Sequence, residues 1–165
     1  PANIFVAQAR VPKDLLEIRK CREQAFDRPV AKLLTSEQLF CNATTVANGK
    51  ATCFVARGSR NRGPILGTAD YKPQGKGSGT WTIFNVFVVP QARGRGMARQ
   101  MIIAIEDEAR RSGIKKLNLQ VETQNTPALT IYRKNNFKAK GLYRALLAIS
   151  GATGYPFLIE MEKDL

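Results

Sequence analysis

The stretch VVPQARGRGMARQMI, Val88 to Ile102, decides how this chain is read. Its first residues end an apolar run, Pro90 closes that run, and apolar residues at helical spacing follow from Met97. Between them stand Gly94 and Gly96 with Arg93 and Arg95, and Arg99 lies one turn further on. The first N–H groups of a helix have no internal acceptor and carry the positive end of its dipole. Glycines let such backbone approach an anion closely, so strand, glycine-rich turn and helix together make a pyrophosphate site. The same residues would serve equally as a solvated basic turn. It is not a P-loop, because the lysine and hydroxyl of GxxxxGK[ST] are missing. Nor is it the dinucleotide fingerprint GxGxxG, since Arg99 stands where the third glycine would sit.

Outward from this turn the elements are regular. The run TWTIFNVFVVP, 80–90, predicts a long strand ahead of it. Behind it, Ala98, Ile102, Ile105 and Ala109 share a helix face, while Glu106–Arg110 and Asp107–Arg111 are placed to pair on the wet side. Gly113 ends that helix. KLNLQV, 116–121, alternates as a strand should. TPALTIYRKNN, 126–136, predicts a short helix with Thr126 as cap, Pro127 first and Asn136 as a left-handed stop.

Upstream, NIFVAQA predicts a first strand and PKDLLEIRKCREQAF a helix with Pro12 in its first turn and Leu15, Ile18 and Ala25 roughly on one face. TSEQLF, 35–40, carries a capping-box pattern and predicts a second short helix. ATCFVAR and ILGTADY flank the hairpin loop GSRNRGP. KPQGKGSG, 72–79, is a further turn. FKAKGLYRALL, 137–147, and PFLIEMEK, 156–163, are read as closing strands. With no repeat, linker or low-complexity tract, residues 1–165 are expected to form one α/β domain.

Composition narrows the chemistry. A 165-residue chain that is 44% hydrophobic can bury a core without disulfide staples. It contains no histidine, which removes a Ser-His-Asp triad, a His-assisted cysteine and the usual zinc ligands together. Acid–base work falls to carboxylates, tyrosine, lysine or water. Cys21, Cys41 and Cys53 show no paired spacing, so buried thiols in a reducing, cytoplasmic setting are expected. The chain opens on proline, leaving room for an initiator methionine or a transit peptide ahead of it, and an organelle is the other setting. No apolar run is long enough to span a membrane. The net charge of +13 draws anionic partners such as nucleotides, nucleic acid or acidic proteins, although it also serves plain solubility.

Two motifs taken together carry a resemblance. The chain resembles the GNAT superfamily of acetyl-CoA-dependent N-acetyltransferases. That family's signature [Q/R]-x-x-G-x-[G/A], at the turn after its fourth strand, is matched by Arg93-Gly94-Arg95-Gly96-Met97-Ala98. A second signature runs from an asparagine to an alanine, a tyrosine, a basic residue and a glycine-phenylalanine step. Here it is Asn125, Ala128, Tyr132, Lys134 and Asn136-Phe137, with asparagine in the glycine position.

The resemblance implies a mixed central sheet of about seven strands flanked by about four helices, the fourth and fifth strands splayed to admit CoA. It implies that backbone of Val86, Phe87 and Val88 pairs with pantetheine, and that N–H groups from Gly94 to Arg99 hold the pyrophosphate, with Arg93, Arg95 and Arg99 as countercharge. Asn125 would bond the pantetheine side and Tyr132 would stand beside the thioester sulfur. Transfer is direct from acetyl-CoA, with no metal and no cysteine intermediate.

A tyrosine, with a reference pKa of about 10, stays protonated at neutral pH and can donate to a leaving thiolate. The base is less plain. Family members acting on ribosomal-protein N-termini often carry a carboxylate where this chain has Gln120. Glu122, Asp70, or a water relay through Asn85 and Thr82 are the candidates that remain. The acceptor implied is a primary amine, a peptide N-terminus or a lysine. A tRNA-directed acetyltransferase is the alternative that the charge raises, although the acceptor motifs of such toxins are not found. A CoA- or nucleic-acid-binding module without turnover is the alternative that the missing base raises. Monomer and homodimer both stay open.

Overall fold

The computed structural model describes residues 3–26, 43–58, 63–154 and 156–165. The chain divides into two compact units, one drawn from Pro1–Lys72 and Ile83–Glu108, the other from Pro73–Thr82 and Ala109–Leu165. Seven strands lie among the described residues, in the order β1-β2-β3-β4 in the first unit and β5-β7-β6 in the second.

The first unit holds β1 (Phe5–Gln8), α1 (Leu15–Ala25), α2 (Thr44–Ala47), β2 (Thr52–Arg57), β3 (Ile65–Pro73) and most of β4 (Thr80–Val88) and α3 (Met97–Arg111). β1 runs antiparallel to β2, Phe5 facing Arg57 and Gln8 facing Phe54. β2 runs antiparallel to β3 with Thr52 opposite Tyr71, as the hairpin reading requires. Helix α3 buries Met97, Met101, Ile102, Ile105 and Ala109, a stripe at the 3.6-residue period. Removing an isoleucine side chain of this kind from water contributes about 1.5–3 kcal/mol. Glu106 departs from expectation. It lies among the buried residues with a partner of its own, rather than on the wet side of the helix.

Charged groups are also buried here. Asp14 heads α1 and accepts from the Arg10 backbone N–H at 2.8 Å, from the Arg10 guanidinium, and from Arg57 at 3.2 Å. Arg57, itself buried, also meets Glu17 at 2.8 Å and the Gly63 carbonyl. Burial pushes the Asp14 carboxyl up, but the Arg10 bonds and the two positive charges outweigh it and hold it below the usual range. Its stabilising effect is therefore complete above the ordinary aspartate pKa and fades as pH falls through the lowered folded value. Asp14→Ala leaves Arg57 short of a partner and is expected to cost about 3 kcal/mol at neutral pH. Urea unfolding at pH 7 and again in acid checks this, because the gap between variant and parent should shrink in acid.

The second unit holds β5 (Lys116–Glu122), α4 (Thr126–Lys134), β6 (Lys138–Ala139), α5 (Tyr143–Thr153) and β7 (Leu158–Asp164). β5 and β7 are antiparallel, from Lys116 opposite Asp164 to Glu122 opposite Leu158. Leu117, Leu119, Val121, Ile159 and Met161 are their buried residues. The described residues hold five helices rather than about four. The sequence places no helix at α2 or at α5. FKAKGLYRALL is a strand only at Lys138–Ala139, and Gly141, at φ 64°, turns the chain out of it. Arg144, Ala145, Leu146 and Leu147 are strong helix formers, and the helical ladder begins with Leu146 N–H to Leu142 C=O at 3.1 Å. TSEQLF and Cys41 lie outside the described residues, while Cys21 and Cys53 are buried free thiols. No helix among the described residues is long and apolar enough to cross a membrane.

Candidate active site

In the first unit the β4 backbone leads straight to the glycine turn. Val86, Phe87 and Val88 are half-buried. Val89 N–H donates to Leu66 C=O at 2.9 Å, and a one-turn 3-10 helix, Pro90–Ala92, carries the chain over. Gly94 and Gly96 have φ of 74° and 84°, values at which an L side chain is strained. Beside both glycines the space is open: a Cβ built at either would meet nothing within 4 Å. Arg93 N–H is spent on Pro90 C=O at 3.2 Å, and Gln100 N–H makes the first helical bond, to Gly96 C=O at 3.0 Å. The N–H groups from Gly94 to Arg99 have no acceptor among the described residues. Six consecutive donors around two relaxed glycines, at the head of a 15-residue helix, fit a diphosphate.

The side chains of the turn divide their roles. Met97 and Ala98 are buried and leave only backbone to a ligand. Arg95 and Arg99 are exposed. Arg93 is more occupied than a free countercharge. Its Nε donates to Val88 C=O at 3.1 Å and its Nη2 to Ala25 C=O at 2.8 Å, tying the end of β4 to the end of α1.

Asp70, one of the candidate bases, is not free for that work. It is wholly buried, its Oδ1 takes Arg22 Nη2 at 2.6 Å and its Oδ2 takes Asn85 Nδ2 at 2.9 Å. Burial pushes its carboxyl up against the pull of Arg22 and the Asn85 bond. Asn85 spends one of its two amide hydrogens on Asp70.

In the second unit, Asn125 and Tyr132 fall on one short helix and Glu122 at the strand end before it. Asn125, not Thr126, is the cap of α4, because its Oδ1 accepts from Ala128 N–H at 3.2 Å. Thr126 then becomes the first helical residue and Pro127 the second. Asn136 takes the left-handed stop at φ 65°. The Tyr132 ring is buried edge-on to Phe137, centroids 6.0 Å apart, and burial pushes its hydroxyl up to about 12. That hydroxyl has no hydrogen-bond partner among the described residues. Glu122 is exposed, and its carbonyl accepts from Asn125 N–H at 3.0 Å. Thr123, just beyond, was not singled out by its sequence context. Its hydroxyl donates to Ser150 Oγ at 2.8 Å and accepts from Phe157 N–H at 3.0 Å, fastening α5 to the end of β5.

The model of the acetyltransferase (GNAT) family matches residues 15–137, and the chain belongs to that family of acetyl-CoA-dependent acetyltransferases. The chain is similar to the IAA acetyltransferase of Azospirillum brasilense, 31% identical over 119 residues that make up 72% of this chain and 75% of that one. Its similarity to the N-alpha-acetyltransferase RimI of Mycobacterium tuberculosis is 32% over 99 residues, 59% of this chain and 61% of the relative, less than two thirds of that protein's length. A GCN5-related N-acetyltransferase from Kribbella flavida, 23% identical, shares the fold over 98% of both chains with a TM-score of 0.71.

Proposed function

We propose that the chain transfers the acetyl group of acetyl-CoA directly to a primary amine, peptide α-amines ahead of lysines, with residues 1–165 working as one catalytic domain. The observation that carries this reading is the run of N–H groups from Gly94 to Arg99 that have no acceptor among the described residues, in a chain of this family. The family match draws residues from both compact units, which supports one domain. Acetyl-CoA supplies an activated thioester. The turn holds its diphosphate, backbone of Val86–Val88 and the Asn125 side chain hold the pantetheine, and Tyr132 donates a hydrogen bond to the sulfur as charge develops there.

The acceptor follows from the missing carboxylate. An α-amino group has a reference pKa of roughly 7.7–8.0 and a lysine amine about 10.4. Near neutral pH roughly a tenth or more of α-amines are unprotonated, against less than about one lysine in a thousand. With an exposed Gln120 in the place of a base, and Asp70 locked to Arg22, little remains besides an exposed Glu122 to make up that gap. The name of the RimI relative, an N-alpha-acetyltransferase, agrees with this preference. A surface of net charge +13 favours acidic or neutral residues after the acceptor amine.

In competition, a peptide with a free α-amine and no lysine is expected to be acetylated about 10²-fold faster than a blocked peptide with one lysine. Equal or faster modification of the lysine peptide overturns the preference. The same charge supports a second reading, acetylation of an amine carried by tRNA. RNA retention that falls steeply with salt, together with acetyl transfer to RNA rather than peptide, would put that reading in its place.

A further inference from the structure

Asn85 has a backbone unusual for a strand residue. It lies within β4, yet its φ is 51°, in the left-handed region. Asparagine reaches this conformation more readily than most residues, but a strand interior gives it no reason to do so. Its side chain is held from below. Asn85 Nδ2 donates to Asp70 Oδ2 at 2.9 Å, and Asp70 is fixed in turn by Arg22 at 2.6 Å, with both charged side chains fully buried. Arg22 Nε donates to Thr68 Oγ1 at 3.2 Å, which anchors the guanidinium to β3. The same guanidinium lies 5.9 Å from the Phe87 ring centroid, and Phe26 packs against that ring at 5.3 Å. Phe87 also comes close to β3 through its backbone, since a Cβ at Gly67 would lie 3.3 Å from the Phe87 carbonyl oxygen.

A buried ion pair contributes little net stability against an apolar pair of the same size. What it does well is fix one geometry. Here the geometry fixed is the break in β4 immediately before Val86–Val88. We propose that Arg22 and Asp70 are positioning residues that clamp Asn85 in its left-handed conformation and thereby aim the Val86–Val88 backbone at the acetyl thioester. This rests on the function proposed above for Val86–Val88. A residue on a helix, one on β3 and one on β4 thus act on the transferred group without touching it.

The test compares Asn85→Ala with Asn85→Gly. Both lose the amide bond to Asp70, but only glycine keeps a positive φ without strain. Asn85→Ala is expected to lower kcat about tenfold or more with CoA affinity within about twofold of the parent, and Asn85→Gly to recover most of that loss. Asp70→Ala combined with Asn85→Ala should lose little more kcat than either alone. If Asp70→Ala does not fold, Asp70→Asn, which removes the charge opposite Arg22 and keeps the side chain's shape, takes its place. Amide hydrogen exchange at Val86–Val88, measured without any acetyl donor, should be faster in Asn85→Ala than in Asn85→Gly. That readout tests the left-handed conformation at position 85 even in a chain that acetylates nothing, where the functional reading alone would fail. Equal kcat and equal exchange in the alanine and glycine variants, or kcat of Asn85→Ala within about twofold of the parent, overturns the proposal.

Discussion

Tyr132→Phe is expected to lower kcat by about 10²–10³-fold while leaving CoA affinity nearly unchanged. The substitution keeps the ring that packs on Phe137 and deletes only the hydroxyl. Burial has pushed that hydroxyl up to about 12. A thiol has a reference pKa of about 8.5, so complete proton transfer to a free thiolate runs uphill. Tyr132 therefore acts by donating a hydrogen bond to sulfur while charge builds up, rather than by surrendering its proton early. The consequence for pH is definite. A limb in the kcat profile between pH 7 and 10 belongs to another group and should persist in Tyr132→Phe. Activity within about twofold of the parent would reduce Tyr132 to a packing residue, far short of what a lost donor to the transition state costs.

How legible each feature was depended on whether its cause was local. The turn from Arg93 to Ala98 could be read directly, because strand, glycines and helix stripe are all written within 15 consecutive residues. Gly113 and Asn136 could be read as stops for the same reason, and both take positive φ. The cap of α4 was misplaced by one residue, since Asn125 and Thr126 are both good caps and only the Ala128 bond separates them. Helix α5 was missed because Phe137, Ala139 and Gly141–Leu142 alternate with lysines like an edge strand, while the glycine that breaks the pattern looks like any other turn residue. Least legible was the Asp70–Arg22–Asn85 network. Its members stand 48 and 15 residues apart in sequence, and nothing near any of them announces the pairing. Long-range polar pairing escapes a reading built on periodicity, and for that reason Asp70 looked available as a base.

Gly96→Glu is expected to weaken CoA binding at least 10²-fold while the fold survives. Two costs combine at this position. The first is conformational: at φ 84° any L side chain is strained, by roughly 1–2 kcal/mol. The second is electrostatic. A carboxylate about 5 Å from a phosphate repels it by about 3 kcal/mol per unit charge at an effective dielectric of about 20. That alone corresponds to about two orders of magnitude in affinity. It also puts a side chain in the way of N–H groups that have no acceptor among the described residues. The protein itself should bear the change, since a Cβ at Gly96 meets no atom within 4 Å and nothing in the core has to move. Gly96→Ala separates the two costs, because it carries the strain without the charge and should lose far less affinity. Calorimetric titration with CoA, alongside thermal unfolding of all three proteins, checks the series. A folded Gly96→Glu protein with parental CoA affinity would mean that the diphosphate is held elsewhere. The Gly94–Arg99 donors would then be an ordinary helix start facing water.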